Sequence, residues 1–127
     1  MFKNTEAFSS YSVDSIEEAL RFYKDKLGLV VATTKEGLEI TLDGRRLFLY
    51  QKPNHTPASF TVLNFVVNDI DAAVKELETV GVTLEKYDMN EMRADEKGIY
   101  RGSSTGNGPD IAWFTDPAGN ILSVIQK

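Results

Sequence analysis

Few side chains in this sequence are suited to chemistry. The chain has no cysteine and a single histidine, His55, which excludes disulfides, thiolate metal sites and cysteine nucleophiles. Ser123 is a poor candidate nucleophile because no histidine or carboxylate is placed to act as its base. Tyr11, Tyr50 and Glu39 carry groups that serve elsewhere as general acids or bases, but their spacing does not single them out. The residue types alone therefore indicate no catalytic constellation.

The composition is that of a globular protein. Among 127 residues, 42% are apolar and 26% are charged, and the net charge is −5. Nucleic acids and anionic membranes attract clustered Lys and Arg, so neither is expected as a partner. No apolar run approaches the roughly 20 residues of a membrane span, and the first residues lack the apolar core of a signal peptide. We therefore expect a cytoplasmic protein.

The chain repeats itself. Residues 13–29 (VDSIEEALRFYKDKLGL) are similar to residues 67–82 (VNDIDAAVKELETVGV) at a spacing of 54, which becomes 53 at Gly28 and Gly81. The ends of the two halves, DGRRLFLYQK and AGNILSVIQK, match at a spacing of 75. Such self-similarity predicts two copies of one structural unit. The pairs 54 residues apart are Val13 and Val67, Ser15 and Asp69, Ile16 and Ile70, and Ala19 and Ala73.

Each copy predicts a helix with defined ends. In the first, Ser15 is the expected N-cap, Glu18 completes a capping box, and Gly28 suits the left-handed position after the helix. In the second, Asp69 caps and Gly81 terminates. Apolar residues recur at helical spacing in both and are assigned to the core. They are Ile16, Ala19, Leu20, Tyr23 and Leu27, then Ile70, Ala73, Val74 and Leu77.

Strands are predicted around these helices, in the order strand, helix, three strands, twice over. Residues 52–59, with two prolines, read as the linker between the copies. The larger spacing of the terminal strands places about twenty additional residues within 89–110, and a loop of that length is typical of a functional flap or a surface excursion. The predicted strands are 7–13, 29–34, 38–42 and 46–51, then 60–67, 83–88, 111–115 and 121–126.

With these features the chain resembles the vicinal oxygen chelate superfamily, which includes glyoxalase I, bleomycin-resistance proteins, fosfomycin-resistance enzymes and extradiol dioxygenases. The matching segments are 15–29, 68–77 and 114–126. Their motifs Phe22-Tyr23, Leu27-Gly28 and Asp116-Pro117-x-Gly119-Asn120 are specific in combination. The resemblance implies an α+β fold: two βαβββ modules forming a cupped mixed sheet with the helices on its outer face. A single domain then covers 1–127, with module one at about 1–55 and module two at about 58–127. Homodimers are common among such proteins.

The resemblance also implies where a metal would be bound. Metal-dependent relatives place His, Gln or Glu on the first, fourth, fifth and eighth strands. The corresponding positions here are Phe8, Phe48, Val62 and Ser123. Hydrocarbon side chains have no lone pair to donate, and a serine hydroxyl is a poor lone ligand for a divalent ion. We therefore expect neither a metal nor another cofactor.

Strand alternation predicts which side chains would line the concave face. The lining would be apolar with a few polar groups, which suits a small organic molecule. Trp113 is a further candidate contact, although a lone tryptophan is also typical of a core or a dimer interface. Arg101 is expected to reach over the mouth of the cavity. The candidate ligand-binding residues are Phe8, Ser10, Ser12, Phe48, Tyr50, Val62, Asn64, Arg101, Trp113 and Ser123.

The sequence thus favours a homodimeric member of this superfamily that binds or sequesters a small molecule, such as an antibiotic or a metabolite, without a catalytic metal. One alternative is an enzyme with atypical site residues, either a glyoxalase-like lyase or isomerase or a dioxygenase-like oxygenase. The other is a structural or regulatory dimer whose cavity is filled by its own side chains.

Overall fold

A computed structural model describes residues 1–87 and 93–127 of the chain. The chain divides into two compact units, Met1–Pro57 and Ala58–Lys127. The hydrogen-bonded strands form two four-stranded mixed sheets, one within each unit. This arrangement confirms the predicted α+β class with two βαβββ modules.

The first unit has its strands in the order β1-β4-β3-β2. β1 and β4 are parallel, and the other neighbours are antiparallel. Asp43 and Gly44 both have positive φ (49° and 74°), as the tight β3–β4 hairpin turn requires. The elements are β1 (Ser9–Val13), α1 (Ile16–Leu20) with a π-helical continuation (Arg21–Lys26), β2 (Val30–Thr33), β3 (Leu38–Leu42) and β4 (Arg45–Gln51).

The second unit repeats this topology with the order β5-β8-β7-β6, in which β5 and β8 are parallel. Its helix-side core contains fully buried Phe114 and Leu122, and Phe65 stacks on Phe114 with ring centroids 6.4 Å apart. The elements are β5 (Thr61–Val66), α2 (Ile70–Thr79), β6 (Tyr100–Arg101), α3 (Gly102–Thr105), β7 (Asp110–Thr115) and β8 (Ile121–Gln126).

The helix ends follow the sequence prediction. The Ser15 hydroxyl accepts the Glu18 N–H at 3.3 Å, and the Asp69 carboxylate accepts the Ala72 N–H at 3.2 Å. Gly28 has a φ of 71°, the left-handed conformation that glycine adopts at low cost. The Glu18 carboxylate, expected to complete a capping box, forms an ion pair with Arg21 at 2.8 Å.

The first helix contains one residue more than the second between its cap and its terminal glycine, which accounts for the change in spacing from 54 to 53. The structure accommodates this residue by widening the helix. The Leu27 N–H donates to the Phe22 carbonyl, five residues back, at 2.9 Å. A single inserted residue in a helix is commonly absorbed as such a π-helical turn.

The repeated Gln-Lys ending has a structural role in both units. The Gln51 side-chain carbonyl at the end of β4 accepts the Ile16 N–H at 3.0 Å. The Gln126 side chain at the end of β8 accepts the Ile70 N–H at 2.7 Å. These N–H groups belong to the first residues of the two helices, where no carbonyl within the helix is available to accept them. Each glutamine therefore ties the last strand of its unit to the start of the helix.

The predicted strand at 83–88 is wrong. Among its described residues, 83–87, only Glu85 makes a bridge, to Trp113 on β7. Farther along β7, its edge neighbour is β6, which pairs with it in antiparallel orientation. A second isolated bridge joins Ala94 to Tyr100. The edge of the second sheet is thus built from two pieces of chain. Residues 89–92 of the 89–110 segment lie outside the described residues.

Candidate functional site

The two faces of the first sheet differ in character. The face that carries the helix holds Leu38, Ile40 and Leu49, which are fully buried. On this side the Tyr11 hydroxyl lies 2.8 Å from that of Tyr23 in the π-helical turn. Because side chains alternate along a strand, the helix-free face holds the intervening residues. Registered pairs identify them as Ser10 beside Phe48, Ser12 beside Tyr50, Glu39 beside Phe48 and Arg46 beside Thr41.

A cavity of about 340 Å³ lies at this helix-free face, within the first unit. Phe8 is 59% exposed, and its ring lies 5.9 Å from the guanidinium of Arg46. Arg46 in turn forms an ion pair with Glu6 at 2.5 Å. The cavity therefore combines aromatic surface with charge. Its lining includes Phe8, Thr34, Glu36, Glu39, Arg46 and Phe48.

A four-residue turn fixes one wall of the cavity. The Thr34 hydroxyl accepts the N–H groups of Glu36 and Gly37, at 3.3 and 3.1 Å. The Thr34 N–H donates to the Gly37 carbonyl at 2.7 Å. Gly37 passes so close to β4 that a Cβ atom there would lie 2.1 Å from the Leu49 carbonyl oxygen. Only glycine fits this approach, and the turn thereby holds Glu36 at the rim.

Ser12 and His55 are brought together by the fold. The Ser12 hydroxyl lies 2.7 Å from Nδ1 of His55, although 43 residues separate them in sequence. Both side chains are partly buried. The fold thus places the imidazole of His55, from the predicted linker, beside a hydroxyl of β1.

In the second unit the corresponding face is closed at Ser123, whereas Asn64 is exposed. The Ser123 hydroxyl donates to the Asn64 side-chain carbonyl at 2.5 Å, and Ser123 is fully buried. Ser123 and Asn64 are register partners on β8 and β5. Val62 lies at an irregularity between Thr61 and Leu63, where the β5–β8 register shifts. Asn64 and Ser123, both predicted to contact a ligand, thus form a hydrogen bond with each other.

Trp113 is the centre of an aromatic cluster on the same face. The rings of Tyr87 and Tyr100 make edge contacts with it at centroid distances of 5.5 and 5.0 Å. Its indole N–H donates to the Thr61 hydroxyl at 3.0 Å. The Tyr100 hydroxyl donates to the Tyr87 carbonyl and accepts the Tyr87 N–H, at 2.8 and 2.5 Å. Burial is the main reason that the Tyr87 pKa is raised.

Arg101 lies on the opposite, helix-bearing face of the second sheet. Its guanidinium contacts Asp71 of α2 at 2.7 Å, Asp95 at 3.0 Å and Asp110 at 3.6 Å. Lys97 adds a contact to Asp71 at 3.0 Å. This placement differs from the expectation that Arg101 reaches over a cavity, because its charge is held by three carboxylates.

The Arg101 cluster shifts the acidity of its members. The hydrogen bond from Arg101 is the main cause that lowers the pKa of Asp71 to about 2. The Ser103 hydroxyl, which donates to Asp110 at 2.6 Å, is the main cause of the lowered Asp110 pKa. Burial raises the Asp95 pKa, but hydrogen bonds led by the Ile99 N–H outweigh it and lower the pKa overall. The pKa of Arg101 is raised, first by its hydrogen bond to Asp71 and then by that to Asp95.

The positions that hold metal ligands in related proteins do not fit a metal ion here. Phe8, Phe48 and Val62 offer no donor atom, and the Ser123 hydroxyl is occupied by Asn64. Divalent ions require several imidazole, carboxylate or thiolate donors. Across residues 1–87 and 93–127, no three His, Cys, Asp or Glu side chains are grouped to hold one.

Sequence reasoning missed part of the cavity wall. Thr34 ends the predicted strand 29–34, Glu36 falls between this strand and the next, and Glu39 was named only as a possible acid or base. The Thr-x-x-Gly spacing is a usable signal for a hydroxyl-stabilised turn, but it does not say that the turn borders a cavity. Phe8 and Phe48 do line the cavity.

The family model described as the Glyoxalase/Bleomycin resistance protein/Dioxygenase superfamily matches residues 8–124. The chain therefore belongs to this superfamily, as the resemblance indicated. A search of the curated proteins gave no significant match. In the part of the chain that the structure describes, no helix is long and apolar enough to cross a membrane.

Solved structures share the fold at low sequence identity. A glyoxalase family protein from Enterococcus faecalis is 19% identical, with a TM-score of 0.69 over 98% of this chain and 99% of that one. A lactoylglutathione lyase from Agrobacterium tumefaciens is 17% identical, with a TM-score of 0.64 over 98% and 95%. A virulence protein from Salmonella typhimurium is 21% identical, with a TM-score of 0.64 over 99% and 98%. At these identities the likeness concerns the fold.

Proposed function

We propose that the protein binds a small organic molecule at the helix-free face of its first sheet, without a catalytic metal. The observation that carries this proposal is the cavity of about 340 Å³ beside Phe8 and Phe48. Pockets of this size, with aromatic walls and a few polar groups, accommodate small organic ligands. The four family metal positions supply no donor set, which supports binding without a metal. Sequestration of an antibiotic or a metabolite is the concrete form of this function.

The cavity also bears on the structural alternative. A regulatory dimer with a filled cavity would have its side chains packed against one another at this face. Phe8 is instead largely exposed at the edge of an open volume. A ligand that covers this ring would remove apolar surface from water, which stabilises a complex by about 25 cal/mol for each Å² buried.

Ligand-observed NMR with a panel of aromatic compounds tests the proposal. We expect saturable binding that Phe48→Ala weakens at least tenfold. Phe60→Ala is the matched control, because Phe60 is 67% exposed and belongs to the second unit. Equal loss in both variants, or stoichiometric metal held by side chains in elemental analysis of the purified protein, contradicts the proposal.

Homodimer formation and a cytoplasmic location complete the proposal. Both rest on the expectations from sequence and family. Sedimentation equilibrium over a range of concentrations measures the first, and cell fractionation measures the second. A monomer at all concentrations, or recovery outside the cytoplasm, removes the corresponding part and leaves the ligand site to be judged separately.

An enzyme remains a second candidate because of one contact. A hydroxyl at 2.7 Å from an imidazole nitrogen has the geometry for proton transfer between the two. A glyoxalase-like lyase or isomerase, or a dioxygenase-like enzyme, would use such a pair at an atypical position. Assays of both reaction types with the wild-type protein and with His55→Gln test this candidate. Turnover that His55→Gln abolishes favours an enzyme, and no turnover in either protein favours the binder.

A further inference from the structure

We propose that the cavity of the first unit selects an organic cation with a flat apolar body. This inference rests on the proposed function, because it specifies the ligand of the same cavity. Two kinds of surface meet there: the rings of Phe8 and Phe48, and the carboxylates of Glu36 and Glu39.

The charge balance at the cavity is negative. Arg46 is the one cation among the described lining residues, and Glu6 already forms an ion pair with it. Within residues 1–87 and 93–127, neither Glu36 nor Glu39 forms an ion pair. Two carboxylates thus face the cavity without a cationic partner. A ligand ammonium group would supply one.

Strand β3 and the Thr34 turn place the two glutamates beside the cavity. Glu39 lies in the middle of β3, in register with Phe48 on β4, so the carboxylate and the ring project from the same face. The backbone of Glu36 is held by the Thr34 turn, in which the Thr34 hydroxyl accepts the Glu36 N–H at 3.3 Å, and its side chain is exposed beside the cavity. A cation between them would also lie near aromatic faces, which attract positive charge. The two aromatic rings and two carboxylates therefore recognise one ligand chemistry.

Three probes with the same two-ring body separate this idea from plain apolar binding. They are naphthylmethylamine, which is cationic at neutral pH, naphthylmethanol, which is neutral, and naphthoic acid, which is anionic. Isothermal titration calorimetry with the wild-type protein should give the tightest binding for the amine, about tenfold tighter than for the alcohol. Added salt should reduce the preference.

Glu39→Gln keeps the size of the side chain and removes its charge. We expect it to reduce the amine-over-alcohol preference several-fold, because one of the two carboxylates that line the cavity is lost. Glu17→Gln, on the exposed side of α1, is the matched control that changes net charge equally away from the cavity. Thermal unfolding checks that both variants are folded.

The outcomes are distinguishable. A preference for the amine that Glu39→Gln reduces several-fold and Glu17→Gln preserves supports the inference. Equal binding of the three probes, tightest binding of the acid, or an equal effect of the two substitutions overturns the inference and leaves the proposed function standing. Absence of saturable binding for all three probes counts against both.

Discussion

The two units have side chains of different size at equivalent positions of their two sheets. In the first, Phe48 on β4 is in register with Glu39 on β3, and the surrounding face is open. In the second, the equivalent of Phe48 is Ser123, in register with Trp113 on β7, and Ser123 is fully buried. One duplicated backbone plan thus carries an open, charged face and a closed, aromatic one. The comparison indicates that the residues exchanged across one strand pair, rather than the topology, decide which face has an open cavity.

The largest expected effect comes from making the second unit resemble the first. Ser123→Phe forces a ring beside Trp113 and removes the hydroxyl that donates to Asn64. Overpacking the buried Ser123 position and losing its hydrogen bond to Asn64 should together lower the free energy of unfolding by about 3 kcal/mol. Urea denaturation measures this change.

The reciprocal substitution, Phe48→Ser, serves as the comparison for Ser123→Phe. Phe48 is only partly buried, so a loss of about 1 kcal/mol is expected. Ser123→Ala removes only the hydrogen bond to Asn64 and should also lower the free energy of unfolding by about 1 kcal/mol. If Ser123→Phe is as mild as Phe48→Ser, the second face is not closed in the sense described.

Gly37→Ala tests the turn that forms the cavity wall. The new Cβ atom would lie 2.1 Å from the Leu49 carbonyl oxygen, so backbone must move, at a cost of about 2 kcal/mol or more. Ligand affinity at the first unit should fall as well, because the turn also positions Glu36.

Gly44→Ala is the control for this substitution. Gly44 has positive φ, but nothing lies within 4 Å of the added Cβ atom. Gly44→Ala should therefore lower the free energy of unfolding by about 1 kcal/mol through backbone strain alone, and ligand affinity should stay unchanged. Equal stability losses in the two variants would contradict the close approach of Gly37 to β4.

Arg101→Gln removes the centre of an ion-pair cluster that joins α2, the Asp95 turn and β7. The melting temperature at neutral pH should fall by several degrees, because three carboxylates lose a common partner. Calorimetry measures the fall. Lys97→Gln, with a single contact to Asp71, should have a smaller effect.

The dependence of stability on acidic pH provides an independent test of the Arg101 cluster. The folded-state pKa of Asp71 is lowered from 3.8 to about 2, so its stabilising contribution is present above about pH 4 and is lost as the pH falls through about 2. Arg101→Gln should flatten this dependence. An acid dependence of stability that is the same in both proteins would show that the cluster is not its source.

The two glutamine caps are expected to differ slightly. Gln126→Ala should cost about 1 kcal/mol and Gln51→Ala about 0.5 kcal/mol, because the first bond is shorter and partly buried and the second is exposed. Chemical denaturation of the two variants side by side measures the difference. The reverse order would indicate that burial of the cap does not set its contribution.

The sequence by itself determined the features that depend on near neighbours. Ser15 and Asp69 predict helix starts, Gly28 predicts an end, and the change in spacing from 54 to 53 already contains the extra residue of the π-helical turn. Strand alternation likewise assigned Phe48 and Ser10 to one face. These are local properties, because caps, left-handed glycines and strand alternation act over a few residues.

Tertiary structure decided the rest. Tyr100 and Arg101 replace the predicted strand at 83–88 beside β7, Ser12 meets His55 across 43 residues, and Arg101 lies among carboxylates brought from α2, a turn and β7. Local preference does not distinguish among such partners, because their free energy comes from contacts between residues far apart in the chain. The cavity also depends on tertiary structure, since its lining joins Phe8, the turn at Thr34 and Glu36, and strands β3 and β4.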